Sequence, residues 1–291
     1  MKRNYIMAGI AIFCWSTLPP MTKVLLVDLS NMEVLLISSA IAFLFLLLFN
    51  CKQKNIQLLT EYTYKDVLIQ IGLGFIGMFL YSALYYFSLT ELSSQDACII
   101  NYLWPIMVIV FSAPILKEKV TGKKAAAIVL SFLGLIIIIT KGHFTSLEMG
   151  NVKGIIACVA AAVCYGLFNV LNKKADYEQA VGMMIYFGVT AVAAGICFVY
   201  QGNYQPVTAI QIGGLLWLGI FIDAIAFLLW ALALKDCDTA KISNLAYLTP
   251  FLTIVFSAAL FNEKIHIYSV MGLLFIIAGI VVQNVLYVNF L

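Results

Sequence analysis

Residues 101–119 read NYLWPIMVIVFSAPILKEK, and residues 246–264 read AYLTPFLTIVFSAALFNEK. At a constant offset of 145, 10 of these 19 positions are identical. Tyr102-Leu103 matches Tyr247-Leu248, Pro105 matches Pro250, and Glu118-Lys119 matches Glu263-Lys264. Between them, Ile109-Val110-Phe111-Ser112-Ala113 matches Ile254-Val255-Phe256-Ser257-Ala258 without a gap. Unrelated apolar helices share residues through low complexity, but not a proline and a Glu-Lys pair in register. The match continues at Gly134 and Gly279. A five-residue shift sets Cys14-Trp15-Ser16 opposite Cys164-Tyr165-Gly166, and Lys23 opposite Lys173. The chain reads as a duplication, with halves at 1–145 and 146–291.

The composition says what kind of unit is duplicated. Of 291 residues, 63% are apolar and 11% are charged, against the ~25% charged residues of a soluble domain. Mean hydropathy is +1.01. These values exclude a soluble enzyme, a disordered chain and a nucleic-acid binder, none of which can do without polar surface. The seven cysteines are an odd number. Cys14, Cys98, Cys158, Cys164 and Cys197 lie inside apolar runs and read as small core hydrophobes, not a disulfide scaffold.

A membrane-crossing helix needs ~20 mostly apolar residues. Ten runs qualify, near 5–27, 32–50, 67–89, 95–116, 122–140, 152–172, 179–200, 209–234, 239–261 and 267–288. They are too long and too continuous for the alternating strands of a barrel. Lipid leaves no backbone donor unpaired, so helices follow. Met1-Lys2-Arg3 before an apolar run mimics a secretory signal, but with no small-residue cleavage site after it the run reads as a retained first span. With the amino terminus inside, the inside loops hold 13 of the 17 basic residues and the outside loops 4. That bias sets both termini in the cytoplasm. Five spans per half is an odd number, so the halves enter the membrane in opposite directions. The expected fold is an all-α membrane protein of ten transmembrane helices in two inverted five-helix repeats, a plan typical of secondary transporters.

The five-plus-five layout, Trp15-Ser16 in the first helix, and the repeated elements Pro105…Glu118-Lys119 and Pro250…Glu263-Lys264 carry a resemblance. The chain resembles the drug/metabolite transporter superfamily, and within it the ten-helix EamA-type transporters. The resemblance covers nearly the whole chain. It implies a cavity between the repeats, lined mainly by helices 1, 3, 4, 6, 8 and 9, with helices 5 and 10 at the periphery. Characterised relatives move amino acids, sugars, nucleotide-linked metabolites, quaternary amines and drugs, and many export them.

Polar and aromatic residues on those helices are the candidate substrate-binding residues. Asp223 is the one carboxylate well inside a span, where an acid is expensive and usually functional. At helical spacing it shares a face with Gly219, Phe227 and Trp230. It reads as a cation or proton site, set against a structural acid at a helix contact. Helix 3 presents Tyr81 and Tyr85, helix 4 Asn101 and Trp104, and helix 9 Asn244 and Tyr247. Helix 6 presents Tyr165, Asn169 and Asn172, and helix 1 presents Trp15 and Ser16. Such aromatics can bound a pocket for a flat or cationic solute, or serve as interface belts and packing. Pro19-Pro20 frees backbone carbonyls and reads as a hinge or a simple kink. Lys23 follows within a turn and can snorkel to the outer surface. Gly72, Gly74 and Gly77, with Gly213, Gly214 and Gly219, suggest close helix approach in both halves.

No Walker loop, Cys-x-x-Cys pair or nucleophile elbow occurs in the sequence. Glu118 and Glu263 read as helix-end residues, and neither His143 nor His266 has a second histidine at metal-ligand spacing. The sequence therefore predicts no enzyme, cofactor or metal. The leading expectation is a secondary active exporter of amino acids or related compounds in the cell membrane, working by alternating access. The alternative is a proton-coupled or facilitative carrier of cationic amines or drugs, with a membrane enzyme or a channel ranked lower. Expected partners are a small-molecule substrate, the lipid bilayer and, for coupling, protons. Nucleic acid is not among them, and the chain acts as a monomer or homodimer.

Overall fold

A computed structural model describes residues 2–117, 122–140, 151–202, 204–235, 246, 248–261 and 264–285. Every regular element among the described residues is helical. The first half holds α1 (Lys2–Leu25), α2 (Asn31–Gln53), α3 (Tyr64–Glu91), α4 (Ser94–Ile115) and α5 (Gly122–Ile139). The second holds α6 (Val152–Ala175), α7 (Gln179–Gln201), α8, α9 (Leu248–Phe261) and α10 (Ile267–Val285). Helix α8 runs on through Ala209–Leu216, Trp217–Ala226 and Phe227–Lys235. Among the described residues seven helices, α1–α4 and α6–α8, are long and apolar enough to cross a membrane. The other three carry shorter apolar stretches at Ile128–Ile137, Leu248–Leu260 and Ile267–Gly279.

The duplication is visible in local chemistry. Helix α3 starts at Thr63, whose hydroxyl accepts from the Asp66 amide while Asp66 accepts from the Thr63 amide. Helix α8 starts the same way 145 residues later, with Thr208 and Gln211 in those roles. Each pair satisfies two donors that a helix start leaves open. Both helices then widen into a π-helical stretch, Phe75–Leu80 in α3 and Trp217–Ala226 in α8.

Packing repeats the pattern. Helix α1 packs on α9 as α6 packs on α4, and α1 on α8 as α6 on α3. Helix α2 packs on α8 as α7 packs on α3. The equivalent helices α2 and α7 pack on each other, as do α5 and α10. Along the α2–α7 seam Leu36 faces Gly195, Phe43 faces Gly188, and Asn50 donates to the Ala180 carbonyl at 3.0 Å. Numbers rise on one helix as they fall on the other, so these equivalent helices run antiparallel.

Glycine sets the closest approaches. A Cβ on Gly74 of α3 would lie 2.8 Å from the Tyr186 Cα of α7. One on Gly219 of α8 would lie 2.7 Å from both the Ser38 carbonyl oxygen and the Ile41 Cβ of α2. Gly219 is the repeat partner of Gly74, and Ser38 and Tyr186 stand at corresponding depths in α2 and α7. Both halves use one missing side chain to seat the helix that lines the site on the helix behind it.

Candidate functional site

Helix α4, read from the sequence as one run over 95–116, is broken beside Pro105. Ser94–Asn101 and Trp104–Ile115 are separate helices joined at Tyr102-Leu103, with Pro105 at the new start. Proline brings no amide donor and suits a helix beginning. In the other half the described backbone resumes with a turn at Ala246 and a helix from Leu248. The break in α4 meets that turn: the Tyr102 hydroxyl donates to the Ala246 carbonyl at 2.6 Å. Broken helices at a repeat interface are where transporters place their sites.

A cavity opens beside these breaks, and its empty space, mouth included, is about 510 Å³. The first half contributes Trp15, Leu18 and Pro19 from α1, Tyr81 and Tyr85 from α3, and Cys98, Asn101, Tyr102 and Trp104 from α4. The second contributes Tyr165 from α6, Phe227 from α8 and Thr249 from α9. The wall is largely aromatic. Tyr81 and Tyr165 stack at 4.7 Å, Trp104 meets Tyr165 edge-on at 5.2 Å, and Trp15 meets Phe227 at 5.2 Å. Asn101 donates to the Tyr81 hydroxyl at 3.1 Å. Among the described residues no Lys, Arg, Asp, Glu or His belongs to this lining.

Of the candidate residues named from sequence, Trp15, Tyr81, Tyr85, Asn101 and Trp104 stand together on this wall. Trp230 stands behind it, 5.2 Å from the Trp15 ring. The Ser16 side chain is buried and donates to the Phe13 carbonyl, while its own carbonyl accepts from Thr253. Asn169 donates to the Tyr165 carbonyl one turn back. Asn244 and Tyr247 lie outside the described residues, as do Glu118, Glu263 and His143. Asp223 is buried in the π-helical stretch of α8, hydrogen-bonded to Ser38 of α2 and close to Tyr86 of α3. That position is one turn from Phe227 and off the cavity wall.

Sequence reasoning gave no candidate status to Cys98, Tyr102 or Thr249. The repeat held a usable signal for two of them, because Tyr102 lies inside the matched block and Thr249 is the counterpart of Trp104. Pro19 sits on the wall with α1 helical on both sides of it. Lys23 donates to the Leu92 carbonyl just past the end of α3 at 2.7 Å, where the helix dipole favours a cation.

An all-helical, duplicated, multi-pass membrane protein with an aromatic cavity shared between its halves is the architecture of a transporter. The EamA-like transporter family model matches twice, over residues 2–140 and 152–285, and the chain belongs to that family. An uncharacterized transporter of Clostridium kluyveri is 26% identical over 97% of this chain and 93% of its own. The uncharacterized transporter YyaM of Bacillus subtilis is 24% identical over 76% of this chain and 74% of its own. The aromatic amino acid exporter YddG of Ancylobacter novellus is 25% identical over 62% of this chain and 63% of its own. A solved crystal structure shares the fold, with a TM-score of 0.72 at 20% identity over 98% of both chains.

Proposed function

We propose that this chain is a secondary carrier that exports amino acids or related small metabolites, those with a flat aromatic body foremost. One observation carries the reading: a cavity walled by aromatic rings from both halves, with no charged side chain among its described residues, lies where the broken helix α4 meets the second half. Stacked and edge-on rings suit an aromatic body, and the exporter name of one relative supports both solute class and direction. In this reading the chain crosses the cell membrane ten times with both termini in the cytoplasm. The two halves are inverted, in keeping with the antiparallel α2–α7 pair. Exchange of their roles opens the cavity first to one side and then to the other. Asp223 acts from behind the wall through its charge state, as the residue that links transport to protons. Ring faces with no competing cation also suit an amine by cation–π attraction, the second reading.

A thermal-shift panel on the purified protein tests the proposal, because a ligand that binds only the folded state raises its melting temperature. Aromatic amino acids should stabilise it more than sugars or nucleosides do, and Trp104→Ala should remove the difference. A uniform response across the panel, or one unmoved by Trp104→Ala, contradicts the reading.

A further inference from the structure

Three residues that line the cavity, Trp15, Asn101 and Thr249, each hold a buried polar atom without a hydrogen-bond partner among the described residues. Asn101 is 7% exposed, and its amide nitrogen is engaged by the Tyr81 hydroxyl. Its Oδ1 is buried without a hydrogen-bond partner among the described residues, and so is Nε1 of Trp15. Both residues line the same cavity, one from α4 and one from α1. A buried polar atom with no partner carries a free-energy penalty, and in a native structure it asks for an explanation. A ligand that supplies the missing partners is one.

We propose that Asn101 Oδ1 and Trp15 Nε1 form the polar subsite of the cavity. The solute's N–H donates to Asn101, and an oxygen on the same solute accepts from Trp15. This rests on the carrier reading above and narrows its substrate class. With no charged side chain among the described residues of the wall, an uncompensated net charge would be desolvated there without a counter-ion. The solute is therefore net neutral, with an N–H donor and an oxygen acceptor beside an aromatic body. A quaternary ammonium offers no N–H and leaves Asn101 unpaired. Sites built to hydrogen-bond a ligand group reject analogues that lack it far more strongly than apolar pockets reject a missing methylene.

Two probes share the ring, the carboxylate and net neutrality at neutral pH but differ in the N–H donors: L-phenylalanine and the bulkier N,N,N-trimethyl-L-phenylalanine, with Asn101→Leu separating the lost hydrogen bond from the added bulk. Equilibrium binding to the full chain in lipid nanodiscs should favour phenylalanine by about tenfold or more, ~1.4 kcal/mol at the lower bound. Asn101→Leu should bring phenylalanine down to the level of the trimethyl probe and leave the latter unchanged, which also shows the variant folded. Trp15→Phe keeps the ring, removes the N–H, and should weaken both probes equally. Equal binding of the two probes to the unsubstituted protein overturns the subsite and leaves the aromatic carrier reading standing. Survival of the preference in Asn101→Leu does the same, and failure of phenylalanine to bind overturns both.

Discussion

The Thr253 hydroxyl donates to the Ser16 carbonyl at 3.0 Å, across the contact between α9 and α1. That carbonyl is the one a helix would pair with the amide of residue 20, and residue 20 is a proline. A residue of the second half thus makes the bond that the double proline of the first half removes. At the equivalent crossing of α6 and α4, Gly166 lies against Met107 and the Trp104 carbonyl. Small residues at 16 and 166 let both crossings close.

Thr253→Val should therefore destabilise the protein by about 0.5–1.5 kcal/mol, the span of buried and interhelical hydrogen bonds. In a Pro20→Ala background the restored amide reaches Ser16 and the loss should shrink. Unfolding midpoints of the four proteins in a double-mutant cycle measure this coupling. Additive effects mean the hydroxyl does not substitute for the missing amide.

The paired glycines make a sharper packing prediction. Gly74→Ala and Gly219→Ala each drive a methyl group into facing backbone or Cβ atoms, and should each cost about 1–3 kcal/mol. Gly72 and Gly213, close by on the same two helices, have nothing within 4 Å of a Cβ. Alanine at either should be neutral or stabilising, by up to about 1 kcal/mol. Melting temperatures in detergent read out all four, and similar losses at all four would refute the seams.

Asp223→Asn should insert and fold normally, because the amide keeps the size and can still hydrogen-bond Ser38. Transport by the unsubstituted protein should vary with pH, and the variant's should not. Flux assays in proteoliposomes across the acidic-to-neutral range decide this. A variant with the same pH profile leaves Asp223 as a contact between α8 and α2.

At the opposite end of α3, the Tyr177 hydroxyl donates to Asp66 Oδ1 at 3.0 Å, with the Tyr62 ring 5.6 Å away. Burial, then the bond to Asp66 and its negative charge, push the Tyr177 phenol from its ordinary value near 10 up to about 12. The folded state holds that proton more tightly than the unfolded chain. This stability is complete below about pH 10 and is lost as pH rises through about 12. Thermal unfolding should show a smaller alkaline loss in Tyr177→Phe than in the parent, and identical slopes would count against the link.

The fold was legible because its signals are periodic and repeated. Pro105 and Pro250 marked the repeat, and the five-residue shift paired Trp15 with Tyr165, both of which reach the cavity. The glycine reading held at Gly74, Gly77, Gly214 and Gly219, each of which meets a neighbouring helix, and did not hold at Gly72 or Gly213. The position of Asp223 was not legible. Counting along an ideal α-helix puts it on one face with Phe227, but Trp217–Ala226 is π-helical. A wider turn changes the angle between residues four apart. It leaves Gly219 and Asp223 against α2 while Phe227 faces the cavity. Thr253 was hidden for another reason, since its contact is with a backbone carbonyl, which no side-chain pattern encodes.

Counterflow in proteoliposomes tests most directly whether the cavity shared by the two halves is an alternating-access site. Vesicles loaded with unlabelled phenylalanine are diluted into a trace of the labelled compound, with Trp104→Ala as the control. An alternating-access carrier should accumulate label transiently, saturate as the external concentration rises, and lose both properties in the variant. Flux that grows linearly with concentration and shows no accumulation, with Trp104→Ala indistinguishable from the parent, would contradict it.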